Sequence, residues 1–364
     1  MNRNFERLVY RLDELGKEHI TLVGKKCAHL GELTKAGFPV PKGFALTLEA
    51  YDLFLKETGT AEELKRYFDG FDANPDDNGD FPKFSAASAA VRGLVESKGM
   101  PEPIAGVVGQ YYSELCEATG CTDLAVSTRS AGPESHPGQY ESFLHISGMP
   151  HVMKHIIKVW ASTFNTRSLI ARARGGFALD RDPIGVCVLQ MVNAKAAGVI
   201  FTLNPTNGDP SKIVIEGNWG LGESVVSGSV NPDQWTVDKV TLECVACRLS
   251  RKNSEYVLDV DSGKVTEVAT PQERVAAPCL TEDEVIELAK AAKRIERHYG
   301  TAQDIEWAIH GDYGLPESVF ILQTRPETGW SKEKEKPATK NHFTAMDYIA
   351  GSISSTKYGG FKKP

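Results

Sequence analysis

Residues Asp304–Thr328, DIEWAIHGDYGLPESVFILQTRPET, read as two strands joined by a Gly/Pro loop. Residues i and i+2 point to the same face of a strand. Asp304 and Glu306 therefore share a face of the first strand, and Gln323 and Arg325 share a face of the second. Ile305, Trp307 and Ile309 fill the opposite side of the first strand, and Val319 to Leu322 make the second largely apolar. Buried carboxylates are costly unless paired or bound to a cation. Glu306 with the amide oxygen of Gln323 suits Mg²⁺, which takes one or two carboxylates plus phosphates. Arg325 beside them suits a terminal phosphate. An internal salt bridge of Arg325 with Asp304 or Glu306 is the competing reading.

Around this segment the chain has the composition of an ordinary water-exposed protein. It has 364 residues, 41% hydrophobic and 24% charged, enough for two to three units of the usual domain size. A net charge of -7 argues against a general nucleic-acid or acidic-membrane binder. The N-terminus, MNRNFERLVYRLDELG, has no apolar signal-like core, and the longest apolar run, Ile184–Val192, is too short to span a bilayer. The seven scattered cysteines fit reduced cytoplasmic thiols. Cys244 and Cys247 form a CxxC with no second ligand pair for zinc, so they read as core or surface thiols.

Along the chain, a helix is expected over about 26–36 with Gly37 at its C′ position, followed by an extended exit at Pro39 and Pro41. Further helices are expected near 48–58, 85–98 and 103–119, with an acidic Gly/Pro loop over 69–82. A strand is expected at Leu124–Thr128, and one long helix over 151–175. From Ile184 to Lys239 β-rich runs alternate with turns. Thr281 and Glu284 form a capping box for a helix that ends at Gly300. The class is α+β, divided at 1–182 and 183–328, with a tail at 329–364 read as mobile or partner-docking.

Three further stretches carry polar chemistry. GKKCAHLGEL puts Lys25 and Lys26 in the first turn of a helix, where they oppose the helix dipole. A bound polyanion compensates that, and a solvated lysine pair is the plainer alternative. TRSAGPESHPGQYESF places Arg129 at a strand end before a Gly/Pro/Ser loop, as a phosphate contact or an ordinary surface arginine; His136 in that loop receives no role. EGNWGLGESVVSG, residues 216–228, is a backbone cradle or a strand-to-helix turn, and Gln190 and Met191 either pack or meet an adenine.

Taken together, VGKKCAHLGEL, TRSAGPESHPGQYESFL, VWASTFNTR, VLQMV, AGVIFTLNP, GNWGLGESVVSGSVNPD and DIEWAI…ILQTRPET resemble the N-terminal ATP-binding part of the phosphoenolpyruvate synthase and pyruvate phosphate dikinase family. The resemblance covers about residues 20–328 and implies an ATP-grasp-like fold of two lobes with a nucleotide cleft between them. It implies that Lys26 and Arg129 hold ATP phosphates and that Gln190, Met191 and Val192 lie along the adenine. Glu306 and Gln323 would bind Mg²⁺ with Asp304 close by, and Arg325 would contact the phosphates being transferred. Lys25 stands where the family usually has glycine.

The family's phosphohistidine motif of Thr-Ser-His type is not found in this sequence. The resemblance therefore implies cleavage of ATP with transfer of a diphosphoryl group to a histidine on a partner subunit, then release of phosphate and AMP, and a small-molecule acceptor bound by a partner. In size and content the chain resembles the small ATP-binding subunit of phenylphosphate synthase, whose acceptor is phenol in anaerobic aromatic degradation. A subunit of a split phosphoenolpyruvate synthase, with pyruvate as acceptor, is the rival, and a non-catalytic nucleotide-sensing subunit is a third reading. No nucleic-acid or membrane partner is expected.

Overall fold

The computed structural model describes residues 7–133, 140–259 and 264–330. The chain forms two compact units, one of Met1–Gly37 with Pro41–Met191, the other of Phe38–Val40 with Val192–Pro364. Both are mixed α and β, in keeping with the α+β expectation.

The first unit is built on five antiparallel strands: β1 (Val9–Arg11), β2 (Gly43–Leu46), β3 (Val126–Ala131), β4 (Ser142–Ile146) and β5 (Gly185–Gln190). Their spatial order is β1-β2-β5-β3-β4. Strand alternation divides the sheet's two faces. Phe44, Leu46, Val186 and Val188 join a large core with Tyr51, Phe54, Phe84 and Trp160 from the covering helices. The rings of Phe54 and Trp160 lie 5.0 Å apart. On the other face Ala45, Cys187 and Arg129 form one cross-strand row.

The second unit's main sheet contains β6 (Ala194–Phe201), β7 (Lys212–Trp219), β8 (Asp233–Asp238) and β9 (Cys244–Arg248). A hairpin of β10 (Ser254–Asp259) and β11 (Lys264–Ala269) forms a separate two-stranded sheet bridged to the end of β7 through Gly220 and Tyr256, and β12 (Gln303–His310) and β13 (Val319–Pro326) complete the main sheet. The order is β13-β12-β6-β7-β8-β9, antiparallel throughout. The helix Glu282–Tyr299 carries the expected capping box, with Thr281 Oγ1 accepting from the Glu284 N–H and Gly300 left-handed at φ 72. It packs on β7, β12 and β13. Trp307 is fully buried and reaches the glycine pair Gly198–Gly217; a Cβ on Gly217 would lie 2.9 Å from its ring.

Three expectations are corrected. The long helix over 151–175 is interrupted: Met149–Ala161 and Thr166–Gly175 are separated by a 3₁₀ turn at Ser162–Phe164. Ser162 and Thr163 hydroxyls bond back to the carbonyls of Val159 and Trp160, and Asn165 caps a new start by accepting from the Ser168 N–H at 2.9 Å. The strand expected at Leu124–Thr128 runs from Val126 to Ala131, so Arg129 lies within the ladder, opposite Cys187. The expected division at 182/183 falls instead at Met191/Val192, because β5 pairs with β2 and β3 in the first unit. Residues 134–139 of the Arg129 loop, including His136, and residues 331–364 of the tail lie outside the described residues.

Candidate functional site

In the first unit, Lys26 sits in the first turn of the helix Lys25–Lys35. That turn is pinned to the end of β3 by a hydrogen bond from the Lys25 N–H to the Gly132 carbonyl, 2.9 Å. Gly24 precedes it at φ 81, and a Cβ there would meet the Ala131 carbonyl oxygen at 2.0 Å. Only glycine permits both that backbone and that approach. Arg129, two residues upstream of Ala131, projects from the same face of β3. Behind these cations the thiols of Cys27 and Cys187 hydrogen-bond, both fully buried. Burial raises the Cys27 thiol, with the Cys187 bond adding to it; the same bond from Cys27 holds the Cys187 thiol down, and the charges of Arg129 and Lys26 act in that direction on both. The two cations that the sequence separates by about a hundred positions thus act on one thiol pair.

In the second unit the hairpin β12–β13 is not regular. Ile309, Ala308 and Trp307 pair with Val319, Phe320 and Ile321, but Glu306 pairs with Gln323, leaving Leu322 as an extra residue. Without this bulge Glu306 would face Leu322, and Gln323 would turn to the Ile305 side. The bulge therefore brings Gln323 and Arg325 to the face that holds Glu306 and Asp304. Directly opposite pairs are Glu306–Gln323 and Asp304–Arg325.

The salt bridge weighed at the sequence level is present: Arg325 Nε donates to Asp304 Oδ2 at 3.2 Å. It satisfies only part of the carboxylate. Asp304 Oδ1 is buried without a hydrogen-bond partner. Burial pushes Asp304 up to about 6, against the pull of Arg325 and with a further push from Glu327. A carboxylate this poorly solvated, with an orphaned oxygen beside Glu306 and Gln323, fits a cation site.

The same face continues into an apolar end. Val192, Ala197 and Ala308 form a small cluster with Ala194, Phe320 and Leu322 packed against it. The Gly-rich segment proves to be a strand-to-helix turn, from β7 through Gly220 to the short helix Glu223–Val226. Its Gly222 lies against Ala197, where a Cβ would meet the alanine's at 3.4 Å. Glu216, in register with Val199 and thus with Glu306, shares the face; burial raises its carboxyl while Gln234 Nε2, donating at 2.7 Å, holds it down. Sequence reasoning did not single out Ala197, Ala308, Phe320, Leu322 or Glu216. Their alternation with apolar core residues was the available signal, but face identity across strands needed the register.

Of the three residues assigned to adenine, Gln190 and Met191 end the first unit's ladder, their N–H groups donating to the carbonyls of Lys42 and Ala125. Val192 belongs to the second unit's apolar end. Among the described residues no group of three or more His, Cys, Asp or Glu side chains is arranged to hold a metal by itself. Nor is any described helix long and apolar enough to cross a membrane.

Residues 20–345 match the family described as pyruvate phosphate dikinase, AMP/ATP-binding domain. The chain is 37% identical to a probable phosphoenolpyruvate synthase of Staphylothermus marinus, over 94% of this chain and 44% of that protein. It is 37% identical to a probable phosphoenolpyruvate synthase of Methanocaldococcus jannaschii over 93% of this chain and 28% of the relative. It is 35% identical to the phosphoenolpyruvate synthase of Aeropyrum pernix, over 92% and 44%. The chain thus spans less than half the length of these relatives. On the length of the family match and these identities, the chain belongs to the pyruvate phosphate dikinase AMP/ATP-binding domain family.

Proposed function

We propose that this chain binds ATP with Mg²⁺ and starts a phosphotransfer of the phosphoenolpyruvate synthase type. In that scheme the β,γ-diphosphoryl group passes from ATP to a histidine carried outside the matched segment, on a partner domain or subunit, and AMP leaves; water then releases the γ-phosphate as inorganic phosphate, and the phosphoryl group left on the histidine passes to pyruvate. The observation that carries the reading is the bulge-set register that gathers Asp304, Glu306, Gln323 and Arg325 on one face next to an apolar end. Glu306 and Gln323 would supply oxygens to Mg²⁺, with Asp304 Oδ1 close by. Bound there, Mg²⁺ would neutralise phosphate charge as the transferred group leaves. Arg325 orients phosphate oxygens while its Nε remains on Asp304. Lys26 and Arg129, set by the pinned helix and β3, neutralise the polyphosphate from their own unit. The Val192–Leu322 end offers a non-polar surface to the base. Transfer of this kind needs positioning and charge neutralisation more than covalent help.

The relatives' names support pyruvate over phenol as final acceptor. A phenylphosphate synthase-like subunit, with phenol as acceptor, is the reading they support less. The test incubates the chain and its histidine-bearing partner with ATP labelled at the β-phosphate. Label on the partner histidine together with AMP supports the dikinase route, and pyruvate or phenol is then offered to discharge it. ADP as the sole product, or an unlabelled partner, refutes it. A purely nucleotide-sensing role is separated by Glu306→Ala: transfer falling at least about tenfold further than ATP affinity supports catalysis, and equal losses support sensing.

A further inference from the structure

The CxxC of the sequence has no place in the nucleotide reading. In a regular strand, positions three apart face opposite sides. In β9, however, Ala246 pairs with Thr236 and Cys244 with Val237, so Val245 is an extra residue. Cys247 lies opposite Trp235 and Cys244 opposite Val237, two positions on one face of β8. The bulge therefore turns both thiols to the same side. β9 is the outermost strand of its sheet, and both cysteines are free and exposed. Partial burial disfavours the thiolate at Cys247, and the charge of Cys244 adds to it. Cys244 also borders an open surface depression of about 540 Å³ edged by Glu243, Glu282 and Lys290.

We propose that Cys244 and Cys247 form a two-thiolate site for a soft monovalent cation of the copper(I) class. Soft thiolates select such ions, and two ligands suffice for linear coordination. Structural zinc takes four ligands, and among the described residues no group of three or more candidate ligands is present. On the bland alternative these are two surface thiols that act independently, and paired ligation separates the two cases.

The experiment offers copper(I) to the reduced full chain as its complex with a chromophoric chelator. Cys121→Ser serves as control, because Cys121 is also exposed but lies in the other unit. Both test positions are exposed, so Cys244→Ser and Cys247→Ser leave the cores untouched; near-UV circular dichroism verifies it. The parent chain and Cys121→Ser are expected to withdraw one equivalent with the same affinity. Each of the other two variants is expected to lose about tenfold or more in affinity. Parent-like affinity in either Cys244→Ser or Cys247→Ser overturns the proposal, as does failure of the folded parent chain to withdraw copper(I).

Discussion

Replacing Asp304 by Asn removes a charge that the ligand-free protein holds at a loss. The native carboxyl lies at about 6, against 3.8 for an exposed aspartate, with burial as the main cause and Arg325 already opposing it. At about 1.4 kcal/mol per pKa unit, ionisation costs the folded chain about 3 kcal/mol. The sign follows from proton binding. Between the two values the native state holds more protons than the unfolded state, so stability falls as pH rises, and the full loss is present above the native pKa. Asparagine has no such loss. The difference in unfolding free energy, Asp304→Asn minus parent, should therefore grow by about 2–2.5 kcal/mol between pH 4 and pH 8. Denaturant titrations in chelator and without nucleotide measure it. Of the tryptophans, Trp219, Trp235, Trp307 and Trp330 lie in the same unit as Asp304 and only Trp160 in the other, so fluorescence follows the relevant transition. Taking the difference cancels the other titrating groups, Glu216 among them. A difference that stays flat with pH, or that shrinks as pH rises, refutes the argument that this carboxylate is desolvated and uncompensated.

Other expectations are more local. Glu306→Ala should lower phosphotransfer by more than it lowers ATP affinity, the lost binding being about 1.5–3 kcal/mol for one contact to a charged group, measured by labelled transfer and by calorimetry. Gly24→Ala forces a Cβ onto the Ala131 carbonyl at φ 81; it should shift the first turn that carries Lys26 and weaken ATP binding while unit-two tryptophan unfolding stays unchanged. Lys252 and Asp233 are a fully buried ion pair at 2.7 Å, and Asp233 also accepts from the N–H groups of Ser250 and Cys279. Lys252→Met alone should destabilise by about 3–5 kcal/mol, and adding Asp233→Asn should recover much of it, as read by denaturant unfolding.

What the sequence discloses and what it hides divide along the range of the interactions involved. Caps act within a few residues, so the Thr281–Glu284 box and the positive φ of Gly37 and Gly300 were legible from the local string. The break at Ser162–Asn165 was not, because Trp160, Thr163 and Arg167 continue an apparent helical stripe while hydroxyl-to-carbonyl bonds and the Asn165 cap end it from within. The Ser and Gly neighbours of Arg129 put the strand end at that residue, yet the backbone of Ser130 and Ala131 continues the ladder with β5. The local string shows Pro39 only as forcing an extended exit; its carbonyl accepts from the Ile321 N–H at 2.8 Å, and Phe38–Val40 belong to the unit that holds β13.

The candidate site shows the same division more sharply. Each half-set was legible, since i and i+2 share a face within one strand whatever lies beside it. Whether Glu306 and Gln323 share a face is a property of the pairing, and nothing in FILQTR marks Leu322 as the extra residue. A regular hairpin built from the same letters would send Gln323 toward the packed Ile305 side and leave Glu306 facing a leucine. One residue of slip thus decides whether two carboxylates, an amide and a guanidinium share one face of the sheet. The apolar end follows from the same event, because the bulged Leu322 packs with Val192 and Ala308 beside the polar pairs instead of between them. With Leu322 in the chain, the bulge is what keeps the polar pairs in register. Deleting Leu322 restores regular pairing and keeps Gln323 opposite Glu306, so it should preserve Mg²⁺-dependent phosphate contacts while weakening the base's apolar surface. ATP affinity falling while affinity for inorganic triphosphate holds is the expected result in equilibrium binding; equal losses for both would show that the polar and apolar ends are not separable in this way.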